Sequence, residues 1–476
     1  MNDQFEKLKQ IVDVVRQVPC CRPVSVGGSV RDALILNLDL KQIEASLMET
    51  GKDYDLEIFG MKKDNLLICL ANAGIKVELV GRAFPVYKVS GYNIDISFPR
   101  IEYKTGSAHT DFNFEINPTM SFSEAALRRD LTINAIGYDW ALTTLVDPFH
   151  GIQDIKDKTL RHVSSQFNED ALRVLRVFKF IARLGFQPSN ELLALCPLLR
   201  TELKSYARER ILPEWNDFIL KGRAENVDAA LGFLSRIEVL RDYPELADLE
   251  HTVQDAHHHP EGSVMRHTCH CLQYFMAKIR DTLATDYEKL VVGYAVLTHD
   301  MGKSECTKIT SEGKISAHGH EDSALPRRFL ERLFDPAEQI IKDVEVLVKA
   351  HMRPVLLYKG GNNLSATRRL NVAVNGRIDL LLKVVECDQG GRPPKPVDWG
   401  AINWVKGRLS ELNLDTSSVI KPLVMGRHLI TELKLEPGPH FSPILDDCFQ
   451  AQLDGVFVDV EGGLTYLAEK HKNRKE

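Results

Sequence analysis

The sequence has no C-x-x-C pair, no uninterrupted apolar run approaching bilayer length, no internal repeat and no low-complexity tract. Its nine cysteines are odd in number and scattered. That distribution speaks against a disulfide framework or a zinc ribbon and for free thiols in a reducing compartment. No segment suits a membrane-spanning helix, and the opening M-N-D-Q-F-E-K-L-K-Q-I-V-D-V-V-R is an amphipathic helix pattern unlike a signal peptide. A cytoplasmic protein with no membrane partner is expected. Positive charge is not in excess either, with a formal net charge of -6 and a pI near 6.3. Wholesale wrapping of nucleic acid is disfavoured, and any RNA contact has to be local.

What is present is a chain of 476 residues, 44% hydrophobic and 26% charged, long enough for roughly two to four domains. Short β-rich runs punctuated by Gly and Asn dominate the first third: P-V-S-V-G-G, D-L-E-I-F-G, I-K-V-E-L-V, F-P-V-Y-K-V-S and N-I-D-I-S-F. Helix-period patterns such as A-L-R-V-L-R-V-F-K-F-I-A-R-L follow, with Gly185 as the expected stop. The reading is α+β: a mixed-sheet head over 1–163, a helical neck and body over 164–250, a helical domain over 251–400 and a helical tail over 401–476.

Val26-Gly27-Gly28-Ser29-Val30-Arg31-Asp32 reads as a strand that ends in two glycines and opens a helix. Such a turn brings backbone N–H groups close to an anion, and Arg31 adds a charged fork. By itself this is also an ordinary tight turn. In G-K-D-Y-D-L-E-I-F-G, Asp53 and Asp55 lie two apart on a predicted strand and so share a face, with Asp95 of N-I-D-I-S-F as a third acid. An isolated D-x-D is more often turn chemistry. Three strand acids without partners are costly, however, and magnesium takes hard oxygen ligands and bridges phosphates. Arg128 and Arg129 precede what reads as an apolar helix, suited to a triphosphate. Glu169, Asp170, Arg173 and Arg176 are expected along one helix side, where the bland reading is an intrahelical salt bridge. An acceptor beside a donor also matches the amino edge shared by cytosine and adenine, so Asp170 and Arg173 would admit CTP and ATP and exclude UTP and GTP.

V-G-G-S-V-R-D, D-Y-D-L, R-R-D-L-T-I-N-A-I, D-P-F-H-G-I-Q-D-I-K-D-K-T-L-R-H-V and E-D-A-L-R-V-L-R-V-F-K-F-I-A-R-L-G-F resemble, in order, the motif series of bacterial class II CCA-adding enzymes and the related poly(A) polymerases. The resemblance spans roughly residues 24 to 186. It implies transfer of nucleotides from CTP and ATP to the 3′ end of tRNA with loss of pyrophosphate. It also implies Mg2+ on Asp53 and Asp55, catalysis by these with Asp95, and nucleotide contacts from Gly27, Gly28, Arg31, Arg129, Asn134, Asp170, Arg173 and Arg176. The segment from Arg100 to Asn117, with Arg100 and Lys104, resembles the family's flexible loop, which is implicated in switching from C to A addition. Leu79 to Val89 resembles a segment said to separate CCA-adding enzymes from poly(A) polymerases, and Ala83 favours CCA addition.

Further along, His267, the adjacent pair His299-Asp300, and Asp388 offer imidazoles and carboxylates to one cation. A lone histidine is usually a packed or surface residue, but this combination suits nickel, manganese or cobalt and phosphoester hydrolysis. The order H, HD, D resembles the HD phosphohydrolase superfamily, and an HD domain fused behind a class II nucleotidyltransferase implies 2′,3′-cyclic phosphodiesterase, 2′-nucleotidase and phosphatase activities. His320 and His351 are open between ligand, substrate-contact and supporting roles. Lys204, Arg208, Arg210, Lys470, Lys472, Arg474 and Lys475 are basic residues that either track an RNA backbone or simply face solvent. The competing readings are a poly(A) or A-only polymerase, and an HD phosphohydrolase whose N-terminal half only binds RNA.

Overall fold

The β-rich runs of the first third become strands: β1 (Arg22–Val26), β2 (Tyr54–Phe59), β3 (Val77–Val80), β4 (Val86–Val89), β5 (Ile94–Ser97), β6 (Arg100–Lys104), β7 (Phe112–Ile116), β8 (Gly137–Asp139) and β9 (Thr144–Val146). This computed structural model describes residues 3–36, 42–50, 53–80, 86–104, 112–361 and 363–472. Seven strands form one sheet in the order β3-β4-β5-β2-β1-β8-β9. The β2–β5 pair is parallel and the β1–β2 and β1–β8 pairs are antiparallel. In register, Val26 lies opposite Asp55, and Asp55 opposite Asp95. The end of β1 and the two acids therefore share one rung.

The sheet is held by apolar groups on its faces. Val24, Val26 and Phe59 pack with Phe122, Ala125, Ala126 and Ala135 in one buried cluster. The helix Asp3–Arg16 buries Phe5, Leu8, Ile11, Val12 and Val15, at roughly 1.5–3 kcal/mol of transfer free energy per large side chain. The Phe5 ring lies 6.2 Å from both Tyr54 and Trp140. The Trp140 indole donates to Ser25 Oγ at 2.8 Å, so its N–H is satisfied inside the core.

Two local expectations fail. R-R-D-L-T-I-N-A-I is not a helix: a single 3-10 turn, Thr132–Asn134, leads into β8. The β-branched Thr132 and Ile133 disfavour a helix, and β8 gains ladder bonds with β1. Glu169 and Asp170 do not share a helix side with Arg173 and Arg176. Glu169 ends a 3-10 turn, Asp170 is extended at φ -143°, and the helix runs over Leu172–Leu184. Asp170 Oδ1 accepts from Leu172 N at 3.1 Å, so the short acid meets a backbone N–H at the helix start in place of lying within the helix. Gly185, at φ +71°, ends that helix as expected.

The chain divides into two compact units, 1–206 and 207–476. The boundary expected near 163 falls inside the first, and those near 250 and 400 inside the second. The second unit is helical. The helices Val264–Tyr274, Asp286–Thr298, Gln339–Ala350 and Ile378–Gly390 surround its polar centre. A separate apolar cluster of Val424, Leu429, Cys448, Ala451, Phe457 and Leu467 holds the C-terminal helices. Among the described residues no helix is long and apolar enough to cross a membrane.

Candidate active sites

In the head, Gly27 leaves β1 at φ +74°, a conformation open to glycine. A β-carbon there would stand 3.0 Å from Asp55 Oδ2 and 3.7 Å from Arg129 Nη1, so the bare glycine lets backbone, acid and arginine meet. Gly28 opens the helix Gly28–Leu36. Asp53 precedes β2 and Asp55 is its second residue, on the alternation that places them on one face. Both are exposed, and Asp95 is half-buried. Desolvation of its carboxyl end nevertheless raises the Asp55 pKa; Arg129 opposes that shift, and Asp95, Asp53 and Glu57 reinforce it. Among the described residues, sets of three or more ligand atoms within 4.8 Å of one another occur in the second unit; the head acids converge on one face without closing that far.

The fully buried acid of β2 is Glu57, which sequence reasoning missed. It pairs with Arg128 Nη2 at 2.9 Å and Arg129 Nη2 at 3.3 Å, holding the two guanidiniums expected at a triphosphate. Its signal was available: Glu57 continues the face of Asp53 and Asp55. Arg129 Nε is buried without a hydrogen bond, a donor left for a ligand. Arg31 is buried rather than extended toward solvent, donating to Asp32 Oδ1 at 2.8 Å and to Asn134 Oδ1 at 2.7 Å, with its guanidinium 4.9 Å from the Phe180 ring. Asn134 Nδ2 donates to Asp130 Oδ1 at 2.9 Å, and Arg176 Nε donates to Asp130 Oδ2 at 2.6 Å. Burial alone would raise the Asp130 carboxyl, but Arg176, Asn134 and the Leu131 N–H hold it well below the ordinary range. Arg173 donates to Gln166 O at 2.7 Å and Arg128 O at 2.6 Å, which fixes its fork beside Asp170.

Arg100 begins β6, which pairs with β7 as an antiparallel ribbon. Residues 105–111 of the expected flexible loop and 81–85, with Ala83, lie outside the described residues, as does the Lys104 side chain. Lys204 belongs to the first unit and Arg208 and Arg210 to the second. Arg208 donates to Phe334 O and Lys470 pairs with Asp447 at 2.7 Å; Lys472 has no described side chain, and Arg474 and Lys475 lie outside the described residues.

In the second unit His267, His299, Asp300 and Asp388 are all buried and meet. His267 Nε2 is 3.0 Å from Asp388 Oδ1 and 3.6 Å from Asp300 Oδ2; His299 Nε2 is 3.3 Å from Asp300 Oδ2 and 3.8 Å from Asp388 Oδ1. His299 Nδ1 donates to Val296 O at 2.8 Å, which leaves the lone pair on Nε2, and that buried atom makes no hydrogen bond. Ligand atoms roughly 2.1 Å from one ion, at angles of about 90–110°, stand roughly 3.0–3.4 Å apart. The shorter separations match, so the donor set fits a divalent cation.

Burial alone would raise both carboxyls. His299 and Lys303 hold Asp300 well below the ordinary range, and Arg392 and His267 do the same for Asp388. Lys303 Nζ is 2.8 Å from Asp300 Oδ2, and Arg392 Nη2 is 2.6 Å from Asp388 Oδ1. Two neighbours of His267 were not foreseen. Glu261 Oε1 lies 2.8 Å from its Nδ1, and Cys271 Sγ lies 3.4 Å from its Nε2. The H-P-E-G before the helix of His267 pointed toward the former, four residues from another cluster member on a helix toward the latter.

A sheet-borne acid site behind a glycine turn, followed by a helical unit with a buried His/Asp centre, defines a nucleotidyltransferase head joined to an HD-type domain. The poly A polymerase head domain family matches residues 24–161. The multifunctional CCA protein of Azoarcus sp. (strain BH72) is 33% identical over 407 residues, 80% of this chain and 87% of that protein. The chain belongs to the multifunctional CCA protein family. In fold it is similar to the Bacillus stearothermophilus CCA-adding enzyme solved in complex with CTP, with a TM-score of 0.65 and 19% identity over 100% of this chain and 99% of that one. It is likewise similar to the Thermotoga maritima CCA-adding enzyme complexed with tRNA-CCA, with a TM-score of 0.57 and 15% identity over 99% and 96%.

Proposed function

We propose that this protein adds or repairs the 3′-terminal CCA of tRNA from CTP and ATP, releasing pyrophosphate, and that its second unit hydrolyses phosphoesters such as a 2′,3′-cyclic phosphate. The observation that carries the first half is the shared rung of Asp55 and Asp95 beside Gly27. Asp53, Asp55 and Asp95 would hold Mg2+, which when bound neutralises triphosphate charge and assists attack of the RNA 3′-hydroxyl on the α-phosphorus. Arg129 presents an unused buried donor to phosphate. Arg31 and Asn134 stiffen the turn from behind, and Arg176 anchors through Asp130 the segment that carries Arg129. Asp170 and Arg173 supply an acceptor and a donor to the base edge common to cytosine and adenine. Catalysis then rests on positioning and electrostatics, with no covalent enzyme intermediate.

For the second half, His267, His299, Asp300 and Asp388 would hold a Ni2+, Mn2+ or Co2+ ion, which when bound polarises a phosphoester for hydrolysis. Lys303 and Arg392 place positive charge beside two of these ligands, where it also compensates an anionic substrate. The nine cysteines are all unpaired thiols, in keeping with a cytoplasmic setting. The test offers tRNA ending before C, before CC and before CCA with CTP, ATP and magnesium. Halting after one A is expected; a long tail from ATP alone on unrelated RNA would instead mark a poly(A) polymerase. A parallel assay on an RNA with a 2′,3′-cyclic phosphate end reads the second unit.

A further inference from the structure

Among the described residues the exposed aromatic side chains are Tyr287, Tyr358 and Trp399. Tyr287 donates to Asp343 Oδ2 at 2.7 Å. The side chains of Tyr358, 42% exposed, and Trp399, 45% exposed, make neither a hydrogen bond nor a ring contact among the described residues. The two belong to one patch of the second unit. The helix Arg353–Gly360 packs on the helix Trp399–Glu411, and a β-carbon on Gly400 would stand 2.9 Å from the Tyr358 hydroxyl. The tyrosine tip therefore reaches the residue next to Trp399. Asn403 and Lys406, both exposed, follow Trp399 at the i+4 and i+7 spacing of one helix face. The charge around the rings is positive in a chain whose net charge is -6. Residues 353–360 carry Arg353 and Lys359 and no acid, and residues 392–408 carry Arg392, Lys395, Lys406 and Arg408 against Asp398. Asp398 is engaged as a helix cap, accepting from Gly400 N at 2.8 Å. Arg353, Lys359 and Lys406 have no ion pair among the described residues.

We propose that Tyr358 and Trp399, with Lys359 and Lys406, bind the single-stranded 3′ end of an RNA and lead its terminal phosphate to the His/Asp centre. This rests on the phosphohydrolase reading given above. Both segments of the patch start at that centre. Arg353 lies two residues past His351, whose ring is 5.3 Å from that of His299, and Tyr358 stands about 8 Å further along the helix. Arg392 pairs with Asp388 at 2.6 Å before the chain runs on to Trp399. Aromatic faces take any base by stacking, and lysines follow phosphates without reading sequence. A protein partner fits less well, because lysine is depleted at the centre of protein–protein contacts and here it flanks the rings.

The test uses the full chain carrying Asp53→Ala and Asp55→Ala, so that the head adds nothing to the RNA. It compares a short single-stranded RNA ending in a 2′,3′-cyclic phosphate with a 2′,3′-cyclic mononucleotide. The parent should show the lower KM for the RNA. Trp399→Ala, and independently Tyr358→Ala, should raise KM for the RNA about tenfold relative to that for the mononucleotide. Trp399→Phe keeps a stacking face and should stay near the parent. Equal KM values for the two substrates, or a ratio unmoved by either alanine variant, would overturn the proposal. So would a concentration-dependent dimer that Trp399→Ala abolishes with the ratio unmoved, since the patch would then join copies of this chain. Hydrolysis of neither substrate would overturn the phosphohydrolase reading instead. An RNA with a photoreactive base near its 3′ end then decides the surface without hydrolysis or any patch variant. Crosslinks at Tyr358 or Trp399 are expected, and crosslinks confined to residues 1–206 would overturn the proposal.

Discussion

In the head, Asp53 and Asp55 are exposed and Asp95 is half-buried, whereas in the second unit every member of the His/Asp centre is buried and its imidazoles are pinned to backbone carbonyls. The head acids sit at a strand end that must admit a triphosphate and an RNA terminus. Desolvation and the neighbouring acids raise the Asp55 pKa, and Arg129 opposes that shift. The helical centre is buried, and its charges are balanced by fixed neighbours: Lys303 and Arg392 for the acids and Glu261 for His267. Two sites that both handle phosphate can thus differ in how far they are assembled before substrate binds.

The comparison breaks most visibly if the two sites are not separable. Asp55→Ala should lower CTP and ATP incorporation by about a thousandfold or more while hydrolysis of a cyclic-phosphate RNA end is unchanged. Loss of both activities in parallel would sink the division of labour. Conversely, His299→Ala should lower hydrolysis by about a thousandfold and leave nucleotide addition intact, read in the same pair of assays.

Preassembly itself is tested by Glu261→Gln, which removes the charged acceptor from His267 Nδ1 while keeping side-chain volume. Metal affinity measured by calorimetry should fall about 10–100-fold, and an unchanged affinity would show that Gly391 O, 3.2 Å from the same nitrogen, suffices. In the open site, Glu57→Gln should raise KM for CTP and ATP about tenfold with a smaller change in kcat, because Arg128 and Arg129 lose their anchor. A KM that falls would mean that Glu57 competes with nucleotide for these arginines.

The smallest effect concerns pH. Asp130 is held below the unfolded carboxylate value of about 3.9, so its pairing with Arg176 stabilises the fold above that value and is lost as pH falls below it. The melting temperature of the wild-type chain should therefore drop as pH is lowered from about 4 toward about 2. Asp130→Asn should start lower at pH 7 and drop less; equal slopes would remove Asp130 from the acid response.

Much of this was legible in the chain because strand alternation and short motifs are local. Two acids two apart on a strand share a face whatever else surrounds them, and the run from Leu172 to Leu184 has a helical apolar face that ends at a glycine. Errors came where non-local partners decide. Thr132 to Ala135 looked helical by its apolar content, yet β1 offered ladder bonds to the residues just beyond. Asp170 looked helical by spacing, yet the helix started after it. The sequence by itself determined which side chains were available: the acids of β2 and β5, the glycine turn, and the histidines and aspartates of the second unit. Only the tertiary structure decided that Glu57 occupies Arg128 and Arg129, that Arg31 points inward onto Asn134, and that His320 and His351 meet at Asp300. Those contacts join segments 31 to 103 residues apart, and such meetings are set by packing and by the need to satisfy buried charge, neither of which local periodicity encodes.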